Sequence, residues 1–278
     1  MICQIERTGR NTIESRVLRL NILLVFALLL PLRASAYTFS PEIATLSPAG
    51  DKSSVFFRLN NKTMKVAAVE ITINECHKDL AGKTVKDRDA DEDFMIYPSQ
   101  IVMMPGDEAG VQVRWIGNPE LAGERAYTIT AREVPIPQKD ENESANAGGV
   151  LVKVTVLVNY EGRIYVTPKG SEPDIVVESV TERTQDNQTG FGRSAGKLSE
   201  LEVICENKGT THKEMSKMSF LITPVDKEGA PTKEKAIALT IKDVPLLKTN
   251  LLAGDRRLFV IPWPDNLPYG RIKVALTE

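Results

Sequence analysis

Nine consecutive residues, Val150-Leu151-Val152-Lys153-Val154-Thr155-Val156-Leu157-Val158, place a valine at every even position. In an extended chain alternate side chains point to opposite faces, so the five valines form one stripe. β-Branched residues at this density favour a strand strongly over a helix. The run fits two roles: a strand buried in its own sandwich, or an edge strand whose stripe serves another chain. A polar loop, Lys139-Asp140-Glu141-Asn142-Glu143-Ser144, precedes it, and a single cation, Arg163, follows it.

The same alternation recurs along the chain, and no long helical period interrupts it. Val55 to Leu59 closes on the turn-forming pair Asn60-Asn61. Ala67, Val69, Ile71 and Ile73 alternate with Ala68, Glu70, Thr72 and Asn74, as a half-buried strand does. The Lys- and Asp-rich stretch from Lys83 to Asp93 reads as a charged loop. Phe94 to Tyr97, Ile101 to Met104, Val111 to Trp115 and Tyr127 to Arg132 supply further strands, divided by Pro98, Pro105-Gly106 and Pro135. Short strands at this spacing indicate a β-sandwich.

By Pro168 there are enough strands for one immunoglobulin-like unit. The polar segment Pro168-Lys169-Gly170-Ser171-Glu172-Pro173 suits a hinge. Beyond it, Ile175 to Val177, Leu201 to Cys205, Met218 to Ile222, Ala236 to Ile241, Leu258 to Ile261 and Ile272 to Leu276 are expected strands of a second, smaller sandwich. Polar loops are expected around Gln185 to Gly196 and Asp226 to Lys233.

At the N-terminus, Arg16 and Arg19 flank the apolar stretch Leu20 to Leu32, and Ala34-Ser35-Ala36 supplies a cleavage site. This layout is that of a secretory signal peptide over residues 1–36, so export and a mature chain from Tyr37 are expected. The stretch is short for a membrane span, and the processed product is expected not to be membrane-embedded. Of the 35 Lys+Arg and 37 Asp+Glu, five and two fall in residues 1–36, which leaves 30 and 35 and a net charge of −5. A mildly acidic chain without a basic cluster argues against nucleic acid as a partner.

Catalytic and metal chemistry find little support. His77 and His212 are the two histidines, and neither stands at ligand spacing with a cysteine or a second histidine. No G-x-S-x-G and no phosphate-cradling glycine loop occurs. Paired carboxylates such as Asp140 and Glu141 lie in a solvated loop. Cys76 and Cys205 are far apart in sequence, and each is expected to be a small buried residue. What remains is binding: no metal, no cofactor and no enzyme activity is expected.

Residues 37 to 168 resemble the N-terminal domain of the periplasmic pilus-assembly chaperones of the chaperone–usher pathway. Four stretches carry the resemblance: Phe94 to Gly106, Gln112-Val113-Arg114-Trp115, Glu124-Arg125-Ala126-Tyr127 through Arg132-Glu133-Val134-Pro135, and Val150 to Pro168. Leu201 to Gly209 is similar to the strand and N-x-G turn of that family's second domain. The resemblance implies an all-β pair of immunoglobulin-like sandwiches in an L shape, residues 37–167 and 168–278. It implies that the last strand of the first sandwich completes an unfinished pilus or fimbrial subunit by donor-strand complementation, and that the chaperone delivers it to an outer-membrane usher.

On this sequence the implied donor residues are Val154, Val156 and Val158, with Val152 next. The cation that would hold the subunit's C-terminal carboxylate is Arg163. The family's other cleft arginine lies on the first strand, where this chain has Pro41-Glu42-Ile43-Ala44-Thr45 and no cation. Arg132 is the leading substitute and Arg114 a poorer one. Glu124 is expected in a charge network between the two domains. A different class of function, an exported adhesin or structural surface protein with two immunoglobulin-like domains, fits the same sandwiches. It would tend to carry its own N-terminal donor extension, and Tyr37 to Pro41 is short for one.

Overall fold

The computed structural model describes residues 37–136, 157–185, 198–268 and 270–278, and residues 37–278 form one compact unit. The sheets fall into two groups along the chain. The first comprises β1 (Tyr37–Ser40), β2 (Ile43–Leu46), β3 (Ser54–Asn61), β4 (Ala67–Lys78), β5 (Thr84–Asp89), β6 (Phe94–Tyr97), β7 (Gln100–Met103), β8 (Glu108–Trp115), β9 (Arg125–Val134) and β10 (Asn159–Val166). One sheet runs β1-β3-β8-β6; the facing sheet runs β2-β10-β9-β4-β5, with β7 also on β4. The second group comprises β11 (Ile175–Gln185), β12 (Leu198–Asn207), β13 (Lys213–Glu214), β14 (Ser219–Pro224), β15 (Ile237–Leu239), β16 (Asn250–Leu251), β17 (Arg256–Pro262) and β18 (Ile272–Thr277), paired as β11-β12-β17, β13-β16 and β15-β14-β18.

Hydrophobic alternation produces these strands. In β4 the expected set Ala67, Val69, Ile71 and Ile73 is buried, and it joins Phe57, Leu59, Val111, Val113, Trp115, Tyr127, Ile129 and Ile164 in the first core. Leu201, Val203, Cys205, Phe220, Ile222, Phe259 and Ile261 build the second. The fold class read from the sequence, an all-β chain of two sandwiches, is the observed one.

One local expectation needs correction. The stretch from Lys83 to Asp93 is not all loop: Thr84 to Asp89 form β5, which pairs with the far end of β4 from Asn74 to Lys78. Arg88 is neutralised there, since its Nε donates to Glu75 of β4 at 2.8 Å and its guanidinium also pairs with Asp93. The chain start also contributes two strands that the pattern hid. β1 joins one sheet, the chain crosses at a cis Ser40-Pro41 bond, and β2 joins the other, parallel to β10 from Ile43↔Arg163 to Leu46↔Val166.

β9 is buried on both faces from Ala126 to Ala131. Tyr127, Ile129 and Ala131 point into the first core, whereas Ala126 packs with Cys76, Tyr165 and Leu252 in a small separate cluster. Leu252 belongs to the second group of strands. The outer face of the β9–β10 pair is thus covered by the later half of the chain, and there a cleft forms.

Candidate functional site

Parity on β10 sets the geometry. Ile164 and Val166 face the first core, so Arg163 and Tyr165 face away from it, beside the second group of strands. Arg163 stands opposite Thr128 of β9 and Ile43 of β2. Its Nη1 donates to Thr128 Oγ1 at 2.7 Å and to Cys76 Sγ at 2.6 Å, which fixes the guanidinium by one edge. Ile43, Lys78, Arg163 and Tyr165 line one wall of a cleft of about 320 Å³, and Glu214, Ser216 and Lys248 stand on the other.

Lys78 is the cation that reading the sequence missed. It ends β4, which reaches the cleft because β4 and β10 flank β9 in one sheet. Partial burial, and then repulsion from Arg163 and Arg257, lower the affinity of its amine for a proton. Cys76 and Asp255 act in the opposite direction without cancelling the shift, and an anion beside the amine would favour its charged form. Chain position alone could not show this, because 85 residues separate Lys78 from Arg163.

Arg132 and Arg114, weighed as partners of Arg163, stand elsewhere. Arg132 pairs with Asn159 across the ladder, four residues along β9 from the Thr128–Arg163 pair, and it forms an ion pair with Glu70. That is roughly 13 Å at 3.3–3.4 Å per residue. Arg114 lies on the exposed face of β8, opposite Ser54. Neither lines the cleft.

Glu124 occupies a joint between the two groups of strands. Its buried carboxylate accepts from Thr167 Oγ1 and Thr211 Oγ1 at 2.7 Å each, from the His212 backbone N–H at 3.0 Å and from His212 Nδ1 at 2.7 Å. Burial pushes this carboxyl up, but the bonds from His212, Thr211 and Thr167 outweigh it and hold the group below the usual carboxylate range. The His212 ring stacks on Tyr165 with centroids 4.0 Å apart, so this joint and the cleft share a wall. A second contact lies beside it: the Lys78 N–H donates to Asp255 Oδ2 at 2.8 Å and the Leu258 N–H to Leu80 O at 2.8 Å.

Of the valine stripe, Val150, Val152, Val154 and Val156 lie outside the described residues. Val158 is described. Its carbonyl accepts from the Glu133 N–H at 3.2 Å and from Tyr37 Oη at 2.9 Å, and its side chain is half-buried at the margin of the first core with Tyr160. From Asn159 to Gly162, β10 has β9 on one side and, among the described residues, no strand on the other; β2 begins its pairing only at Arg163. Cys76 and Cys205 are both buried and free.

No protein-family model and no curated protein matches this chain. Solved structures do. A chain of a chaperone–tip adhesin complex of CFA/I fimbriae is 9% identical, with a TM-score of 0.50 over 87% of this chain and 98% of its own. The class 5 fimbriae chaperone CfaA is 11% identical, with a TM-score of 0.48 over 87% and 99%. A chain of the CsuC–CsuE chaperone–tip adhesion subunit pre-assembly complex of Acinetobacter baumannii is 14% identical, with a TM-score of 0.45 over 87% and 97%. At 9% identity and a TM-score of 0.50, the likeness to the first of these establishes a shared fold alone. Among the described residues no helix is long and apolar enough to cross a membrane.

Proposed function

We propose that this chain is a non-enzymatic periplasmic chaperone that caps fimbrial subunits by donor-strand complementation and hands them to an outer-membrane usher. In this reading residues 1–36 direct export, 37–167 form the capping domain and 168–278 the second domain. The observation that carries it is the meeting of Arg163 and Lys78 in one cleft, at the base of a strand that, among the described residues, pairs with β9 alone until β2 joins it at Arg163.

The mechanism follows from what an unfinished sandwich lacks. Such a subunit exposes a hydrophobic groove and unpaired strand edges, which invite aggregation. A donor strand repairs the backbone ladder and fills the groove with every second side chain. The alternate positions that place Ile164 and Val166 in this chain's own core continue in sequence through Val158, Val156, Val154 and Val152. Fully burying a valine from water is worth roughly 1.5 kcal/mol or more, and less for Val158, which is already half-buried. Such a stripe can slip by two residues and keep its face, so register needs an anchor. Arg163 Nε and Nη2 have no protein partner among the described residues, and with the Lys78 ammonium they offer a terminal carboxylate charge-assisted hydrogen bonds. In this account the strand supplies energy and the cleft supplies register.

The test is co-expression with a fimbrial subunit encoded beside this chain, reading soluble complex. Val156→Asp is expected to leave the chaperone folded and abolish the complex, and Arg163→Glu to weaken it. An undiminished yield with Val156→Asp refutes the donor role.

A further inference from the structure

We infer that the cleft receives two anionic groups, with Lys248 on its second wall taking an acidic side chain of the same terminal residue whose carboxylate Arg163 and Lys78 hold. This rests on the capping reading and specifies which subunit termini the cleft prefers. One carboxylate carries a single negative charge, yet three cations line the cleft: Arg163, Lys78 and Lys248. Among the described residues the one acid in the lining, Glu214, is already taken up, since Lys217 Nζ lies 2.9 Å from its Oε2 and its Oε1 accepts from Ser216. Lys248, by contrast, has no ion-pair partner among the described residues, although Arg132, Lys213 and Lys217 each have one.

After a lone carboxylate has docked on the first wall, the second wall still presents an unmatched ammonium. At about 320 Å³ the space accommodates a terminal residue with its side chain as well as its carboxylate. A C-terminal aspartate or glutamate meets both walls at once. Its α-carboxylate lies on the pair that the first sandwich supplies, and its side chain lies toward the cation that the second supplies. Lys248 therefore acts as a specificity residue, and it makes the second sandwich a reader of sequence in addition to a cover for the β9–β10 face.

The test titrates the chain of residues 37–278 with three acetylated dipeptides, followed by NMR at the Arg163 Nε–H and the Tyr165 ring. Ac-Ala-Asp carries both anions, Ac-Ala-Asn keeps the shape without the second charge, and Ac-Ala-Asp-amide lacks the first. At low ionic strength Ac-Ala-Asp is expected to bind roughly two- to fivefold tighter than Ac-Ala-Asn, the range for a solvent-accessible ion pair. Lys248→Ala, at an exposed position, should erase that advantage, so that Ac-Ala-Asp binds no tighter than Ac-Ala-Asn. Equal affinities in the unmodified protein, or an advantage that survives Lys248→Ala, overturn the inference while leaving the Arg163 anchor standing. Failure of Ac-Ala-Asn to bind, or binding that ignores Arg163→Ala, overturns the anchor and the inference with it.

Discussion

Replacing Glu124 tests whether the joint beside the cleft is held by a buried anion. Four donors converge on its carboxylate within 3.0 Å, contributed by Thr167, Thr211 and His212. Hydrogen bonds to a charged group are worth about 1.5–3 kcal/mol each, but they are not additive, and removing one member of a buried charged cluster costs about 3–5 kcal/mol. Glu124→Ala should therefore lower Tm by about 10 °C, taking roughly 2–4 °C per kcal/mol for a chain of this size. Glu124→Gln keeps the shape, loses the charge and should cost less. The pH dependence fixes the sign. The folded carboxyl is held below its usual range, so its stabilisation is complete above the unfolded value of about 4.3 and is lost as pH falls through the folded value. The gap between the native chain and Glu124→Gln should be wide at pH 7 and narrow at pH 3 in thermal melts. A loss for Glu124→Ala below about 1 kcal/mol at pH 7, or an equal gap at both pH values, refutes the reasoning.

Lys78→Glu should impair capture of a co-expressed fimbrial subunit, whereas Arg132→Glu, whose side chain pairs with Glu70 away from the cleft, should not; the reverse pattern in co-purification would move the anchor to Arg132. Gly209→Ala would place a Cβ 2.3 Å from the Asp174 backbone N and 2.4 Å from Glu172 O, so the 172–174 segment must shift, at about 1–3 kcal/mol, read as a lower Tm. Cys76 and Cys205 are buried and unpaired, and burial raises the Cys205 thiol to about 12. Neither should react with a thiol reagent in the native chain at pH 8, and both should react in denaturant.

Strands with one apolar face were legible because large apolar side chains at every second position write a period of two into the sequence. Ala67, Val69, Ile71 and Ile73 show it, as do Tyr127, Ile129 and Ala131. β5 was not legible, since Arg88 and its neighbours are charged, and the pairs of Arg88 with Glu75 and Asp93 form only in the folded chain. β1 and β2 are four residues each with Pro41 between them, too short for a period to register. The site divides in the same way. Arg163 and Glu124 stood out through the family resemblance, and both lie where the two groups of strands meet. Lys78 did not, because its role depends on β4 running long enough to carry its last residue to the cleft. Thr211 and His212 became partners of Glu124 only through the packing of the two halves, up to 88 residues away in sequence.

The alternation claimed for the donor strand is most directly tested by photo-cross-linking. A photoreactive residue placed singly at positions 153 to 157 of the chaperone, co-expressed with its fimbrial subunit, would report which face enters the groove. Efficient cross-links into the subunit's core from 154 and 156, with weak ones from 153, 155 and 157, are the predicted result. Equal yields at all five positions, or none at 154 and 156 while the complex still forms, would contradict the account.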